Sequence, residues 1–247
     1  MPRKPRNLLR GNTFHIIVKG IAHEKIFKND TYKKRFLHFV RKYLIKFNVK
    51  ILAYVVMDTH AHLMIYTNNI CELSLFMHDV NQAYAEYYNF CNKRNGYVFE
   101  DRFFSKEILN ERYRNACFQY IHNNPVNANV VNIPEKYKYS SFNKYLTSDD
   151  EIIDKESKNI MFGTFKRKEY IEKFYLIHRI YFNEKIHDVE EDVDYMEIIN
   201  KYKMLGASDD LIVNRLYFEF KLSQEKIKKF LRVDRNKIRK ILGTVKM

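Results

Sequence analysis

Apolar and polar positions in the first half of the chain follow two alternating periods. Phe14-His15-Ile16-Ile17-Val18 is a compact apolar run of strand length. Thr31 to Phe47 then spaces Phe36, Phe39, Val40, Tyr43, Leu44 and Phe47 at helical intervals. Val49 to Met57 and Ala61 to Tyr66 are β-rich runs separated only by Asp58-Thr59, which predicts an antiparallel pair with a tight connection. From Ile70 to Asn92 the helical period returns through Leu73, Phe76, Met77, Val80, Ala83 and Tyr87. After a turn at Gly96, Tyr97 to Ile108 reads as extended, and Asn110 to Asn123 reads as a helix stopped by Pro125. Strand, helix, strand, strand, helix, strand, helix is the order of a split β-α-β unit. It predicts an α+β fold, a ferredoxin-like antiparallel sheet with helices on one face, plus a C-terminal α-helical region.

The pattern changes beyond about residue 148. Seven acids, Glu184, Asp188, Glu190, Glu191, Asp192, Asp194 and Glu197, stand against Lys185, as expected of a solvated linker or an exposed helix. Three short amphipathic segments follow: Leu211 to Phe220, Ser223 to Leu231 behind a serine cap, and Asp234 to Leu242 behind an aspartate cap. Arg235, Asn236, Lys237, Arg239 and Lys240 crowd the last one. The final pair reads as a helix-turn-helix whose second helix would enter a major groove, with a small basic helical bundle as the alternative. The chain thus divides into a first domain at 1–148, a helical and acidic linker at 149–200, and a basic helical domain at 201–247.

Composition narrows the partner. Of 247 residues 46% are hydrophobic, enough for a substantial core, and the formal charge is +14. The excess sits in residues 1–150, with 23 basic against 13 acidic side chains. Lysine and arginine in such excess suit a polyanion, and nucleic acid offers the densest line of phosphates. Nineteen Tyr and nineteen Phe, with no Trp, supply flat rings for stacking unpaired bases, although most belong to the core. No apolar run is long enough for a membrane span, and the basic start Pro2-Arg3-Lys4-Pro5-Arg6 lacks a secretion signal's apolar stretch. We expect a cytoplasmic protein. Cys71, Cys91 and Cys117 form no CxxC pair, so reduced and mostly buried thiols are expected rather than disulfides or a cysteine zinc site.

Two features carry candidate chemistry. His60-Ala61-His62 lies within an apolar strand, where alternation projects both imidazoles from one face, close enough to share a divalent ion. An HxH of this kind also occurs as hydrogen-bonded core. The second feature is Tyr120-Ile121-His122-Asn123-Asn124-Pro125-Val126, in which Tyr120 and Asn124 are four apart on one helix face, so an amide oxygen and a phenol can address the same point. A phenol has a pKa near 10 and needs help to act as a nucleophile at neutral pH. Composition alone singles out none of the tyrosines.

Taken in order, these blocks resemble the single-tyrosine HUH transposases, which include insertion-sequence transposases and REP-associated tyrosine transposases. The resemblance spans roughly residues 7 to 146. It rests on Phe14-His15-Ile16 with Lys19-Gly20 and Ile26-Phe27, Met57 to Leu63, Arg102-Phe103-Phe104, and Tyr120 to Val126 with Ala128. It implies an HUH nuclease domain in which His60, His62 and Asn124 are metal ligands for Mg2+ or Mn2+ and Tyr120 is the nucleophile. The implied activity is cleavage and rejoining of single-stranded DNA through a 5′-phosphotyrosine at hairpin-flanked sites. The implied partners are single-stranded and hairpin DNA, with association to a bacterial nucleoid and with monomer or homodimer both open. Lys19 replaces the usual Arg, Asp58-Thr59 replaces Pro-Asn, and Val98-Phe99 lacks the common Trp. These departures leave the chemistry intact and bear on DNA sequence preference.

Arg3, Lys4, Arg6 and Arg10 are candidates for a basic arm on a hairpin stem, or a solubilising tail. Lys19, Arg102, Arg235, Lys237, Arg239 and Lys240 are further candidates for DNA contact, Arg102 with an ion-pair role as its alternative. His15 reads as a DNA contact, a site residue or a structural histidine. His122 reads as a cap or surface residue, and Tyr113 is the alternative nucleophile. A non-catalytic regulator that grips hairpins and duplex DNA is the competing function, and intact His60, His62, Tyr120 and Asn124 weigh against it. A histidine-dependent metallohydrolase lacks a general base that the motif singles out, since neither Asp58 nor Glu72 is so placed.

Overall fold

The computed structural model describes residues 11–147, 150–163, 167–180, 195–204, 206, 208–214, 216–217, 224–231 and 233–243. Its contacts divide the chain into two units, residues 1–190 and 191–247. In the first, β1 (Thr13–Lys19), β2 (Val49–Val56), β3 (His60–Thr67) and β4 (Phe104–Glu107) form one antiparallel sheet in the order β2-β3-β1-β4. That is the ferredoxin-like order. β2 and β3 are the expected tight pair, with Met57 N donating to His60 O across the turn at 2.8 Å.

Helix α1 (Asp30–Leu44) starts where Asn29 Oδ1 accepts from the backbone N of Thr31 and Tyr32, and α2 (Ile70–Asn92) starts on Asn69 Oδ1 in the same way. The two pack on each other and on β2 and β3, with Phe36, Val40, Phe76 and Val80 buried. Helix α3 (Glu111–Asn127) also packs on β2 and β3. Burial at every position of β2 from Ile51 to Val56 requires cover on both faces, because side chains alternate between them. Helices on one face were expected. Instead α3 lies over the face of His62 and the α1–α2 pair over the other.

Tyr97 to Ile108 forms a strand only over β4. Before it the backbone touches β1 through a single bridge between Gly20 and Phe99. Beyond α3 come α4 (Phe142–Leu146), α5 (Lys155–Phe162) and α6 (Arg167–Ile180). Met161, Phe162 and Phe174 are buried in the same core as the sheet. The segment expected as linker, 149–200, therefore contributes core as far as α6, because its apolar side chains fall on faces that the charged ones conceal in a linear reading. The acidic run at 184–194 lies outside the described residues. Cys117 is buried, but Cys71 and Cys91, near the two ends of α2, are exposed.

The second unit contains α7 (Tyr195–Met204), α8 (Asp209–Asn214), α9 (Gln224–Leu231) and α10 (Arg235–Gly243). Ile199, Ile212, Val213, Ile227, Ile238 and Ile241 form its own small core. Asp234 caps α10, its Oδ2 accepting from Asn236 N at 3.0 Å; the cap expected at Ser223 lies outside the described residues. Among the described residues no helix is long and apolar enough to cross a membrane.

Candidate active site

The turn before β3 is clamped from three directions. Phe27 N donates to Asp58 O and Gly20 N to Thr59 O, each at 2.9 Å, while Lys33 Nζ pairs with Asp58 Oδ1 at 2.6 Å. His60 follows at once. Alternation brings His60 and His62 to one face with ring centroids 4.9 Å apart and planes at 88°. Each Nδ1 is already engaged, that of His60 2.9 Å from Thr59 Oγ1 and that of His62 2.9 Å from His15 Nε2 on β1. His62 Nε2 is turned toward Asn124, 3.4 Å from its Nδ2.

Asn124 and Tyr120 come from α3, which begins where Asn110 Oδ1 accepts from Tyr113 N at 2.7 Å. The helix does not stop at Asn123. Pro125 sits inside its last turn, and the helix closes with Ala128 N donating to Asn124 O, with Asn129 beyond it in the left-handed region at φ 54. Proline removes the N–H that would reach Ile121 O and crowds that carbonyl, but its φ suits a helix, and packing of the last turn carries the helix through it. As a result Asn124 keeps helical register with Tyr120. The Tyr120 ring stands 5.5 Å from that of His62 at 90° and 6.1 Å from that of His15. The Asn124 side chain acts on the titration of both neighbours, raising the pKa of His60 and lowering that of the Tyr120 phenol, each against a larger effect of burial.

Burial sets the protonation states. It pushes the pKa of His60 down and that of His62 well down, with the nearby Lys19 charge adding to both shifts. Both rings are therefore neutral at pH 7, which leaves a lone pair on each. Burial also raises the Tyr120 phenol above its ordinary value, and the nearby Asn124 amide opposes that shift. Among the described residues no group of three or more His, Cys, Asp or Glu side chains is arranged to hold a metal ion. The convergent donors are instead two neutral imidazoles and a carboxamide. With outer nitrogens anchored by Thr59 and His15, this set suits a divalent cation, because such second partners fix the ring orientation a metal requires.

His15 and Thr59 are thus site residues. Sequence had left His15 open, and Thr59 carried no signal beyond its place beside His60. Lys19 is exposed at the end of β1, opposite His60 in the strand register, so it reaches the site. Arg102 is exposed before β4. Tyr113 is buried, with Lys106 Nζ 5.6 Å over its ring, and the phenol that adjoins the imidazoles is Tyr120. His122 is fully buried and not a cap or surface residue, because it points around the helix into a second histidine contact with His178. Arg3, Lys4, Arg6 and Arg10 lie outside the described residues. Lys237, Arg239 and Lys240 are exposed on α10, while Ile238 and Ile241 face inward; Arg235 begins that helix.

Residues 10–124 match the family model described as transposase IS200 like. Among solved structures the chain is similar to a REP-associated tyrosine transposase bound to a REP hairpin. The TM-score is 0.51 and the identity 19%, over 59% of this chain and 86% of that one, a likeness of fold. No curated protein matches the sequence.

Proposed function

We propose that this chain, whose residues 10–124 match the family model described as transposase IS200 like, cleaves and rejoins single-stranded DNA with Tyr120 as nucleophile. One observation carries the reading: a helix far along the chain delivers a phenol and a carboxamide to the imidazoles of β3, with the Tyr120 ring 5.5 Å from that of His62 and Asn124 Nδ2 3.4 Å from His62 Nε2.

His60, His62 and Asn124 would hold Mg2+ or Mn2+; half a turn of the Asn124 amide presents Oδ1 in place of Nδ2. Held there, such an ion would supply Lewis-acid polarisation of a phosphate. Tyr120 Oη forms the bond to phosphorus as the P–O3′ bond breaks. The phenolic proton passes to water and the departing 3′-oxygen takes one from water, so the balance closes without a cofactor. The phosphotyrosine keeps the energy of the broken ester, and a 3′-hydroxyl from another strand reverses the step. Lys19 beside His60 is placed to meet a strand phosphate, and the neutral imidazoles add no charge to oppose the ion.

The likeness to a transposase solved with a REP hairpin supports hairpin-flanked DNA as the substrate. The exposed Lys237, Arg239 and Lys240 support a duplex-binding role for the second unit as an accessory to cleavage. Labelled hairpin-flanked single strands incubated with Mn2+ test the proposal. Wild type forms a covalent adduct that resists denaturation, and Tyr120→Phe forms none while binding the hairpin as before. An adduct persisting in Tyr120→Phe overturns the assignment.

A further inference from the structure

The strand register places one large exposed ring in line with the candidate site. On β1, Ile17 stands opposite His62 of β3 on one side and opposite Phe104 of β4 on the other. Directly opposed residues of an antiparallel pair share a face, so Phe104, Ile17 and His62 form one row on the face that carries the imidazoles. Two strand spacings of about 4.8 Å separate Phe104 from His62, a reach suited to a neighbouring nucleotide rather than to the phosphate itself. Lys19 lies one step along β1, on the same face.

The two ends of the row are treated differently. His62 is 4% exposed, whereas Phe104 is 44% exposed. Its neighbour Phe103, just before β4, is by contrast buried in the core. Among the described residues Phe104 has no aromatic partner, although many other described rings pack edge to face. A single exposed apolar side chain is ordinary on a protein surface. A phenylalanine in register with a candidate phosphate site, beside a lysine, is what an unpaired base requires, because any base can lay its π-face on such a ring.

We propose that Phe104 is the stacking platform for an unpaired base flanking the phosphate at the His60–His62 site. The inference rests on the nuclease reading and adds a base-binding subsite to it. It explains how a strand is held when the duplex has ended: the base is gripped on β4 and the adjacent phosphate on β3.

The chain has no tryptophan, so Phe104→Trp introduces a unique fluorophore at the platform. A short mixed-sequence single strand should quench that fluorescence as it saturates the protein, with saturation followed independently by anisotropy of a labelled strand, and a blunt duplex should quench it far less. Phe104→Ala should weaken single-strand binding about tenfold, with unchanged thermal unfolding because the side chain is exposed, and Phe104→Tyr should restore it. Unchanged tryptophan fluorescence at saturation, or wild-type affinity in Phe104→Ala, overturns the platform. Quenching without any covalent adduct supports the platform and overturns the Tyr120 chemistry. An adduct without quenching does the reverse, and a wild-type protein that binds no single strand overturns both.

Discussion

His122 Nδ1 lies 2.9 Å from His178 Nε2, with the two rings stacked at 13°. The contact belongs to a longer chain whose protons can be assigned. His178 Nδ1 is 2.8 Å from Phe174 O, and a carbonyl only accepts, so that nitrogen carries the hydrogen. In the neutral ring Nε2 then accepts, and His122 Nδ1 must donate to it. His122 Nε2 in turn accepts from Ser141 Oγ at 2.7 Å, and Ser141 Oγ accepts from Tyr54 N at 2.9 Å. A satisfied polar wire therefore runs from α6 through α3 to β2, and pins the helix that bears Tyr120 and Asn124 to the sheet.

Breaking this wire should cost stability. His178→Phe keeps a ring among Phe118, Phe142 and Phe174 but orphans the His122 donor, for a loss of about 1–3 kcal/mol. His178→Ala adds a cavity and should lose more. Denaturant unfolding midpoints measure both, and an unchanged midpoint in His178→Phe would show that the wire contributes nothing.

The same residue predicts a pH dependence. Burial lowers the His178 pKa from 6.5 to about 4, so between those values the unfolded chain binds a proton that the folded chain refuses. Stability is full above pH 6.5 and falls as pH drops toward 4, by on the order of 3 kcal/mol from this group. His122, lowered well below its ordinary value by burial and by His178, acts in the same direction. Unfolding midpoints across this range should decline toward acid, and His178→Phe should flatten the slope; a slope identical to wild type would refute the assignment to His178.

Gly20→Ala should disturb the turn that presents His60. An added Cβ would meet Glu24 O at 2.4 Å and Ile26 Cγ2 at 2.9 Å, while Gly20 N holds Thr59 O. Backbone would have to move, at about 1–3 kcal/mol. A thermal melt should show the loss, and a melting temperature equal to wild type would mean the loop yields freely.

For the candidate metal ligands, His60→Ala should abolish Mn2+-dependent cutting and most Mn2+ binding seen by calorimetry. Thr59→Val, which removes the oxygen at His60 Nδ1, should weaken binding by about 10–100-fold. Ordinary Mn2+-dependent cleavage by His60→Ala would take that imidazole out of the site.

Much of this was legible in sequence. The α2 period ran from Ile70 to Asn92 as the helix does, and HxH spacing in a strand and the i, i+4 relation of Tyr120 and Asn124 are local geometry that tertiary packing left undisturbed. What failed was non-local. Nothing near His122 announces Ser141 or His178, which arrive from 19 and 56 residues away. Pro125 reads as a stop, and only tertiary packing shows that the helix runs on through it to Asn127. Nor does a run's own pattern reveal that a second layer of helices will cover its other face, as α3 does for the sheet.

Asn124 is shared property. The same carboxamide acts on the titration of His60 and Tyr120 and stands 3.4 Å from His62, so in the proposed reaction grip and attack have no separate dials. A longer or shorter amide at this position retunes both together, and any lineage or engineer wishing to alter one must work through Thr59, His15 or the far end of the helix instead.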